Sequence, residues 1–454
     1  MRIADLADAR VAIWGFAREG HASLAVLRER FPHKQLTIFC SEEEASELRK
    51  SSAASSTEII TTAADANALS RFDVVIKSPG ISTYKSPYPQ AIEAGVRFTS
   101  GTALWFAEHP EAKTICVTGT KGKSTVAALI AHLLRKSGQS VALAGNIGMP
   151  MLELLDPPRL PAWWVIELSS FQTRDFDGAP TVAVINNLYE EHLDWHESAQ
   201  NYVADKLKIV ARAESVVLAA QPDLIAVASH CARRSVIGND DGWHARDDAI
   251  FSGSTRVLDL NLIPLPGLHN AQNVCAAFAA LDAAGENAIA LAQHVHSFKP
   301  LPHRLQLLGE RDGLRYVNDS ISTTPYASVV ALRSLSTGDV TILVGGFDRG
   351  VDWRIFVDYV AKHPPRGIVT MGANGDAIAR ALDGRNVAAR RSGSLTEAMQ
   401  IAQTMTPRGG TIVLSPGAPS FDQFRDYAQR GREFARLAAF DPDSIAQIDS
   451  MGIS

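Results

Sequence analysis

Short runs of β-branched and aliphatic residues, most closing on glycine, serine or asparagine, alternate along this chain with longer Ala/Leu-rich stretches of helical spacing. The runs are RVAIWG (10–15), LTIFC (36–40), DVVIKSPG (73–80), TICVTGT (114–120), WWVIELSS (163–170), TVAVINN (181–187), VTILVGG (340–346), GIVTMG (367–372) and TIVLSPG (411–417). Each predicts a buried strand ending in a loop. Strand–loop–helix repetition of this kind predicts an α/β protein with parallel sheets and helices on both faces. Three blocks separate on the pattern, 1–100, 101–300 and 301–454. Ligands of open α/β sheets bind beyond the carboxyl ends of strands, and the motifs that could carry chemistry all lie at such ends.

A chain of 454 residues exceeds one ordinary core, which predicts two to four domains. Apolar residues at 46% and charged residues at 20% give the balance of a soluble globular protein. The net charge of −5 comes without a basic block, so nucleic acid is not expected as a partner. Apolar stretches fall well short of the ~20 residues that span a bilayer, so no membrane partner is expected. The N-terminal stretch carries acids and no signal-peptide core, and a cytoplasmic protein is expected. Cys40, Cys116, Cys231 and Cys275 form no C-x-x-C pair and read as buried free thiols, with no zinc site.

The strongest local signal is Gly119-Thr120-Lys121-Gly122-Lys123-Ser124-Thr125, between a strand and the helical run VAALIAHLLRKSG (126–138). Glycines let backbone wrap closely around phosphate, and N–H groups at a helix N-terminus point at the anion. Lys123 would reach the outer phosphates, and the Ser124 or Thr125 hydroxyl would ligate magnesium. ATP is the expected ligand, although the G-x-x-G-K-S spacing is shorter than the common phosphate loop. Glu167 and His192 follow later strands and could hold magnesium or orient a substrate carboxylate. On spacing alone, Glu167 could equally be a helix N-terminal charge and His192 a solvated histidine.

Taken together these segments resemble the muramyl ligase family, which in turn resembles folylpolyglutamate synthases through its phosphate loop. GTKGKST is similar to the family's GTNGKST, GNIGMP (145–150) to its GNIG, and ELSSFQ (167–172) to its ELSSFQ. NLYEEHLD (187–194) resembles its acidic-His-x-Asp motif, and YVADKLK (202–208) the segment whose lysine is carbamylated. GLHNAQNVCAA, LPHRLQ, VNDS and SFDQFRDYAQRGREF match further family segments in order. The resemblance covers nearly the whole chain and is greatest to the glutamate-adding branch.

It implies three domains: a Rossmann-like UDP-substrate domain (1–100), a central P-loop ATPase domain with a mainly parallel sheet (101–300), and a Rossmann-like glutamate domain (301–454). The implied reaction is ATP-dependent ligation of glutamate to UDP-N-acetylmuramoyl-L-alanine through an acyl phosphate, in peptidoglycan precursor synthesis, by a monomer. Lys123, Glu167, His192 and Lys206 are the implied catalytic residues. Ser124 with Glu167, and His192 with carbamylated Lys206, would hold two magnesium ions. Asn273, Arg304 and Asp319 would contact ATP, with Asp319 near the ribose and a hinge near 298–303. Gly15, Phe16, Ala17, Arg18, Ser78, Pro79, Gly80 and Asn146 would face the UDP substrate. Thr323, Arg349, Ser420 and Tyr427 would line the glutamate pocket. Without the resemblance, Lys206 reads as a solvated helix lysine, Arg304 as an interdomain ion-pair residue and Asp319 as a helix N-cap.

Departures from the family pattern cluster at the amino-acid pocket. Ile321-Ser322-Thr323-Thr324-Pro325 replaces Lys-Ala-Thr-Asn, Arg349 replaces a lysine, Pro419 precedes Ser420, and Tyr427 replaces a phenylalanine. Arginine keeps the charge but changes it to a planar fork. A branch that adds L-glutamate carries a DSISTTP-like stretch, which this sequence resembles, so L-glutamate is favoured, with D-glutamate the alternative. Lys121 for Asn and Glu191 for Asp are milder changes. Ala17 at the middle glycine of a dinucleotide fingerprint argues against an NAD enzyme, and the block preceding the ATPase argues against a folate-type ligase. A non-enzymatic nucleotide switch would need no acceptor pocket.

Overall fold

The computed structural model describes the chain except for residues 52–55, 266, 336–338, 444–447, 449–450 and 454. It folds as two compact units, one of Met1–Leu262, Ala271–His296 and Ser450–Ser454, the other of Ile263–Asn270 and Ser297–Asp449.

The first unit opens with a five-stranded parallel sheet in the order Thr57–Ile60, Leu36–Phe39, Val11–Trp14, Val74–Lys77, Arg97–Thr99. The order reverses between Val11–Trp14 and Val74–Lys77, where connections leave in opposite directions and open a crevice. Both loops of the predicted UDP site, at Gly15 and Ser78, stand at that point. Gly15 has φ +89°, and a Cβ there would lie 2.8 Å from the Ser78 side chain, so glycine lets the two loops close.

A seven-stranded sheet follows, ordered Arg234–Ile237, Ser215–Ala219, Val182–Ile185, Thr114–Thr118, Trp163–Glu167, Val141–Gly145, Gly452–Ile453. All neighbours are parallel except the last strand, which runs antiparallel to Val141–Gly145. The central strands are buried along their whole length, as a sheet covered on both faces requires. Register aligns their carboxyl ends: Val117 pairs with Glu167 and Thr118 with Ile185. The loop after Thr118, the Glu167 carboxylate and Asn186 therefore emerge together.

The pattern reading had parallel sheets almost throughout. The structure departs from it at Trp243–Arg246, Ala249–Ser252 and Thr255–Asp259, which form a three-stranded antiparallel sheet. Tight connections at Asp247 (φ +53°) and Gly253 (φ +55°) turn the chain back each time.

The second unit carries a six-stranded sheet: Gln306–Arg311, Leu314–Asn318, Thr411–Leu414, Val340–Val344, Gly367–Thr370, Ala389–Arg391. Its first pair is an antiparallel hairpin turning at Asp312-Gly313, and the rest are parallel. Asn318 pairs with Leu414, which sets Asp319 beside Ser415 at the carboxyl end. Two apolar clusters, around Leu343 and Phe434 and around Ile342 and Phe356, cover its faces. No helix among the described residues is long and apolar enough to cross a membrane. Cys116 and Cys275 are buried, whereas Cys40 and Cys231 are only partly so, a correction to the expectation of four buried thiols.

Candidate active site

The phosphate loop is shaped by two left-handed glycines and a floor of asparagines. Gly119 has φ +147° and Gly122, which caps the helix Lys123–Lys136, has φ +83°. A Cβ on Gly122 would sit 2.3 Å from Asn273 Oδ1 and 2.5 Å from Asn186 Nδ2. Asn186 Nδ2 donates to Asn273 Oδ1 (2.7 Å) and to the Lys121 carbonyl (3.0 Å), and Asn187 Oδ1 accepts from the Lys121 N–H (2.8 Å). The buried Asn273 thus braces the loop from beneath. Thr120 hydrogen-bonds Tyr202 OH (2.8 Å) and the Tyr189 backbone, and Lys123 Nζ donates to the Thr120 carbonyl (3.0 Å). Ser124 is partly exposed while Thr125 is buried, so Ser124 is the more accessible of the two hydroxyl residues at the helix start.

Glu167 is the last residue of its strand and is 1% exposed. Asn146 Nδ2 donates to its Oε1 (2.9 Å), while Oε2 is buried with no hydrogen-bond partner among the described residues. A bare buried carboxylate oxygen is costly unless a cation or donor completes it.

Lys206 is 2% exposed, which sets aside the solvated-lysine reading. Its Nζ donates to the Gly119 carbonyl (2.8 Å) and Thr118 Oγ1 (3.3 Å). Burial holds its pKa well below the ordinary lysine value; the nearby Lys123 charge adds to this, and Glu191 and Glu167 oppose it. His192 sits in left-handed backbone (φ +56°) at the start of the turn Leu193–His196, a conformation that non-glycine residues adopt at a cost. Burial lowers its pKa, against the pull of Glu191. Lys121 and Glu191, two separate departures from the family pattern, form one ion pair between the phosphate loop and the His192 turn.

At the first sheet, Ser78 Oγ donates to the Gly15 carbonyl (2.9 Å), and Pro79 and Gly80 continue that loop. Phe16 is fully buried, with its ring packed against His21 at 4.1 Å between centroids. Ala17 caps the following helix, and Arg18 NH1 donates to the Gly148 carbonyl (2.9 Å), two residues after Asn146, the partner of Glu167. A cavity of about 340 Å³ beside these loops is lined by Trp14, Gly80, Lys85, Asp194 and Trp195.

In the second unit, Asp319 is buried and is not a helix cap; Thr324 caps the helix Pro325–Ser334. Its carboxylate accepts from the Leu305 N–H (3.1 Å), Ser322 Oγ (2.5 Å) and Ser415 Oγ (2.7 Å). Burial pushes its pKa up to about 6 despite these bonds. Arg304 stands between His303 (φ +60°) and Leu305 (φ +43°), both left-handed, with His303 Nδ1 bonded to Asn318 Nδ2 (3.0 Å). Thr323 is half-buried, Ser420 is buried, and Tyr427 is exposed at the start of the helix Tyr427–Leu437. Arg349 lies exposed on the GGFDRG loop, which adjoins the Ser420 loop through the Phe347 N–H and Pro419 carbonyl (2.9 Å).

Motif reading missed Arg430, which is 1% exposed and donates to Ser320 Oγ (3.0 Å), the Ser320 carbonyl (2.9 Å) and the Ala418 carbonyl (3.0 Å). It ties the Thr323 and Ser420 loops together. Burial lowers its pKa to about 10, with Asp422 opposing. Asn186 was also missed, and Asn187 was read only as the start of the 187–194 segment, although the paired asparagines closing AVINN were a visible signal.

A family model for the Mur ligase middle domain matches residues 117–281. The chain is 47% identical, over all of both chains, to the UDP-N-acetylmuramoyl-L-alanine--L-glutamate ligase of Xanthomonas euvesicatoria. The Salinispora tropica ligase of the same name is 36% identical, with 96% of this chain and 98% of that one covered. Among solved structures, UDP-N-acetylmuramate-alanine ligase of Thermotoga maritima matches at TM-score 0.61 and 18% identity, covering 95% of this chain and 99% of that one. MurF of Acinetobacter baumannii matches at TM-score 0.61 and 17% identity, covering 81% and 89%. At such identities the structures speak for the fold.

Proposed function

Because the chain belongs to the Mur ligase family, the ATP-dependent amide ligases of peptidoglycan synthesis, we propose that it joins L-glutamate to UDP-N-acetylmuramoyl-L-alanine. The observation that carries the reading is the convergence, at one sheet end, of a phosphate-shaped loop, a carboxylate with a bare buried oxygen and a buried lysine. Residues 1–100 then hold the UDP moiety, 101–300 bind ATP, and 301–454 bind glutamate.

A free carboxylate does not form an amide at useful rates. The alanine carboxylate oxygen attacks the γ-phosphorus of ATP, the bond to the β-phosphate oxygen breaks, and ADP leaves. The glutamate amine then adds to the acyl-phosphate carbonyl; phosphate departs and the nitrogen loses its proton. Lys123 and the N–H groups of the 119–124 loop take up charge on the phosphoryl oxygens, the main contribution expected for such a transfer. The bare Glu167 oxygen and the Ser124 hydroxyl fit magnesium, and His192 with a carbamylated Lys206 would hold a second ion, the metal supplying neutralisation of phosphate charge.

Only a neutral amine adds to carbon dioxide, and burial keeps Lys206 towards that form. Nζ bonds the carbon, gives up a proton and becomes a carboxylate-like ligand. The preference for L-glutamate is supported by full-length relatives that carry that name and by the rebuilt DSISTTP stretch. The test uses substrate labelled with ¹⁸O in the alanine carboxylate. One label appearing in the released inorganic phosphate is expected; unlabelled phosphate would overturn the acyl-phosphate route.

A further inference from the structure

The carboxylate of Asp205, immediately before Lys206, is 1% exposed and receives donors from three other segments of the first unit. Its Oδ2 accepts from His196 Nδ1 (2.9 Å) and Tyr84 OH (3.0 Å), and its Oδ1 from Arg174 NH1 (3.4 Å), with Lys208 Nζ at 4.0 Å. The partners occupy telling places. His196 ends the turn that begins at His192. Arg174 ends the short helix that follows Glu167, and its Nε also bonds Thr83 Oγ1 (2.9 Å). Tyr84 lies just beyond the Ser78–Gly80 loop of the first sheet, with Arg174 stacked 4.8 Å over its ring.

Neighbouring contacts make the junction rigid. Trp195 Nε1 donates to the Gly80 carbonyl (3.0 Å), and Ser82 Oγ donates to the Trp195 carbonyl (2.6 Å). His196 is fully buried and stacks on Phe171 at 5.7 Å. Its Nε2 has no hydrogen-bond partner among the described residues, so the bond to Asp205 is what fixes the ring's polar orientation within this aromatic packing. Buried charged groups joined to several donors fix geometry more than they add stability.

We propose that Asp205 is a positioning residue for the ligase reaction. Through His196 it fixes the strained turn bearing His192, through the backbone it fixes Lys206, and through Tyr84 it couples both to the loop of the UDP-substrate sheet. The proposal rests on the assignment of His192 and Lys206 above; Asp205, buried next to Lys206 and bonded to the end of the His192 turn, sets the distance between them.

Asp205→Asn keeps the shape while removing the charge that holds three donors. In phosphate-release assays kcat should fall at least tenfold and the magnesium concentration for half-activity should rise at least fivefold. The KM for ATP should stay within twofold, because Asn186 and Asn273 brace the phosphate loop independently. Tyr84→Phe should raise the KM for the UDP substrate several-fold with magnesium dependence unchanged. If Asp205→Asn does not fold, His196→Asn carries the test with the same magnesium readout. A folded variant that loses only thermal stability, with kcat and magnesium dependence unchanged below its melting temperature, would overturn the proposal. A wild-type protein without ligase activity would instead overturn the function on which it rests.

Discussion

Replacing Asp319 with asparagine should make the protein's stability respond to pH differently from the wild type, by an amount the structure sets. Burial raises the Asp319 pKa from 3.8 to about 6. The native carboxyl therefore keeps a proton that the unfolded chain releases between pH 3.8 and about 6. In that window the unfolded state binds fewer protons, so stability falls as pH rises, and the whole penalty is present above about pH 6. A shift of that size corresponds to about 3 kcal/mol, of which roughly half is already present near pH 5. Asparagine cannot ionise. Its Oδ1 can accept from the Leu305 N–H, and its Nδ2 can donate to the Ser322 and Ser415 hydroxyls, which rotate to accept. The stability gap between Asp319→Asn and wild type should therefore widen by about 1.4 kcal/mol from pH 5 to pH 7.5 in favour of the variant. Urea unfolding of both proteins at the two pH values measures it, since groups common to both cancel. A gap that stays constant within about 0.5 kcal/mol would refute the argument that Asp319 ionises at a cost inside this unit.

Lys206→Met should leave a folded protein with ligase activity at least 100-fold lower, and removing bicarbonate and carbon dioxide should lower wild-type activity but not that of the variant. Gly122→Ala places a side chain at φ +83° against Asn273 and Asn186, so beyond a strain of about 1–2 kcal/mol the KM for ATP should rise at least tenfold by initial-rate kinetics. Gly431→Ala would set a Cβ 2.2 Å from His303 Nδ1, and calorimetry should show a loss of stability together with lower activity. A double-mutant cycle on Lys121 and Glu191 should return a coupling below about 1 kcal/mol, because Lys121 is half exposed.

The 119–125 loop was legible because the residues that shape a phosphate loop are local in sequence. A strand, two glycines, a lysine and a hydroxyl within a few residues suffice to announce the 119–125 loop. The parallel strands were legible for a similar reason, since burial on both faces leaves unbroken apolar runs such as VTILV. The antiparallel strands of Trp243–Asp259 were not, because half-exposed strands carry polar residues that dilute the pattern. The hairpin at Asp312-Gly313 had a turn signal in the sequence, but its first strand, QLLGER, hardly alternates. Arg430 and Asp205 were hidden for another reason. A charged residue on a helix reads as solvated until tertiary structure shows what covers it, and both are covered by loops distant in sequence. The ion pair of Lys121 with Glu191 shows the same limit: two mild departures acquire meaning only once the fold sets them side by side.

The most direct test of the account is phosphate release by the purified protein with ATP, magnesium and UDP-N-acetylmuramoyl-L-alanine, comparing L-glutamate with D-glutamate. The account predicts release with L-glutamate and a kcat/KM for D-glutamate at least 100-fold lower. Equal or preferred use of D-glutamate would contradict the assignment of the rebuilt pocket, and release with neither would contradict the acceptor itself.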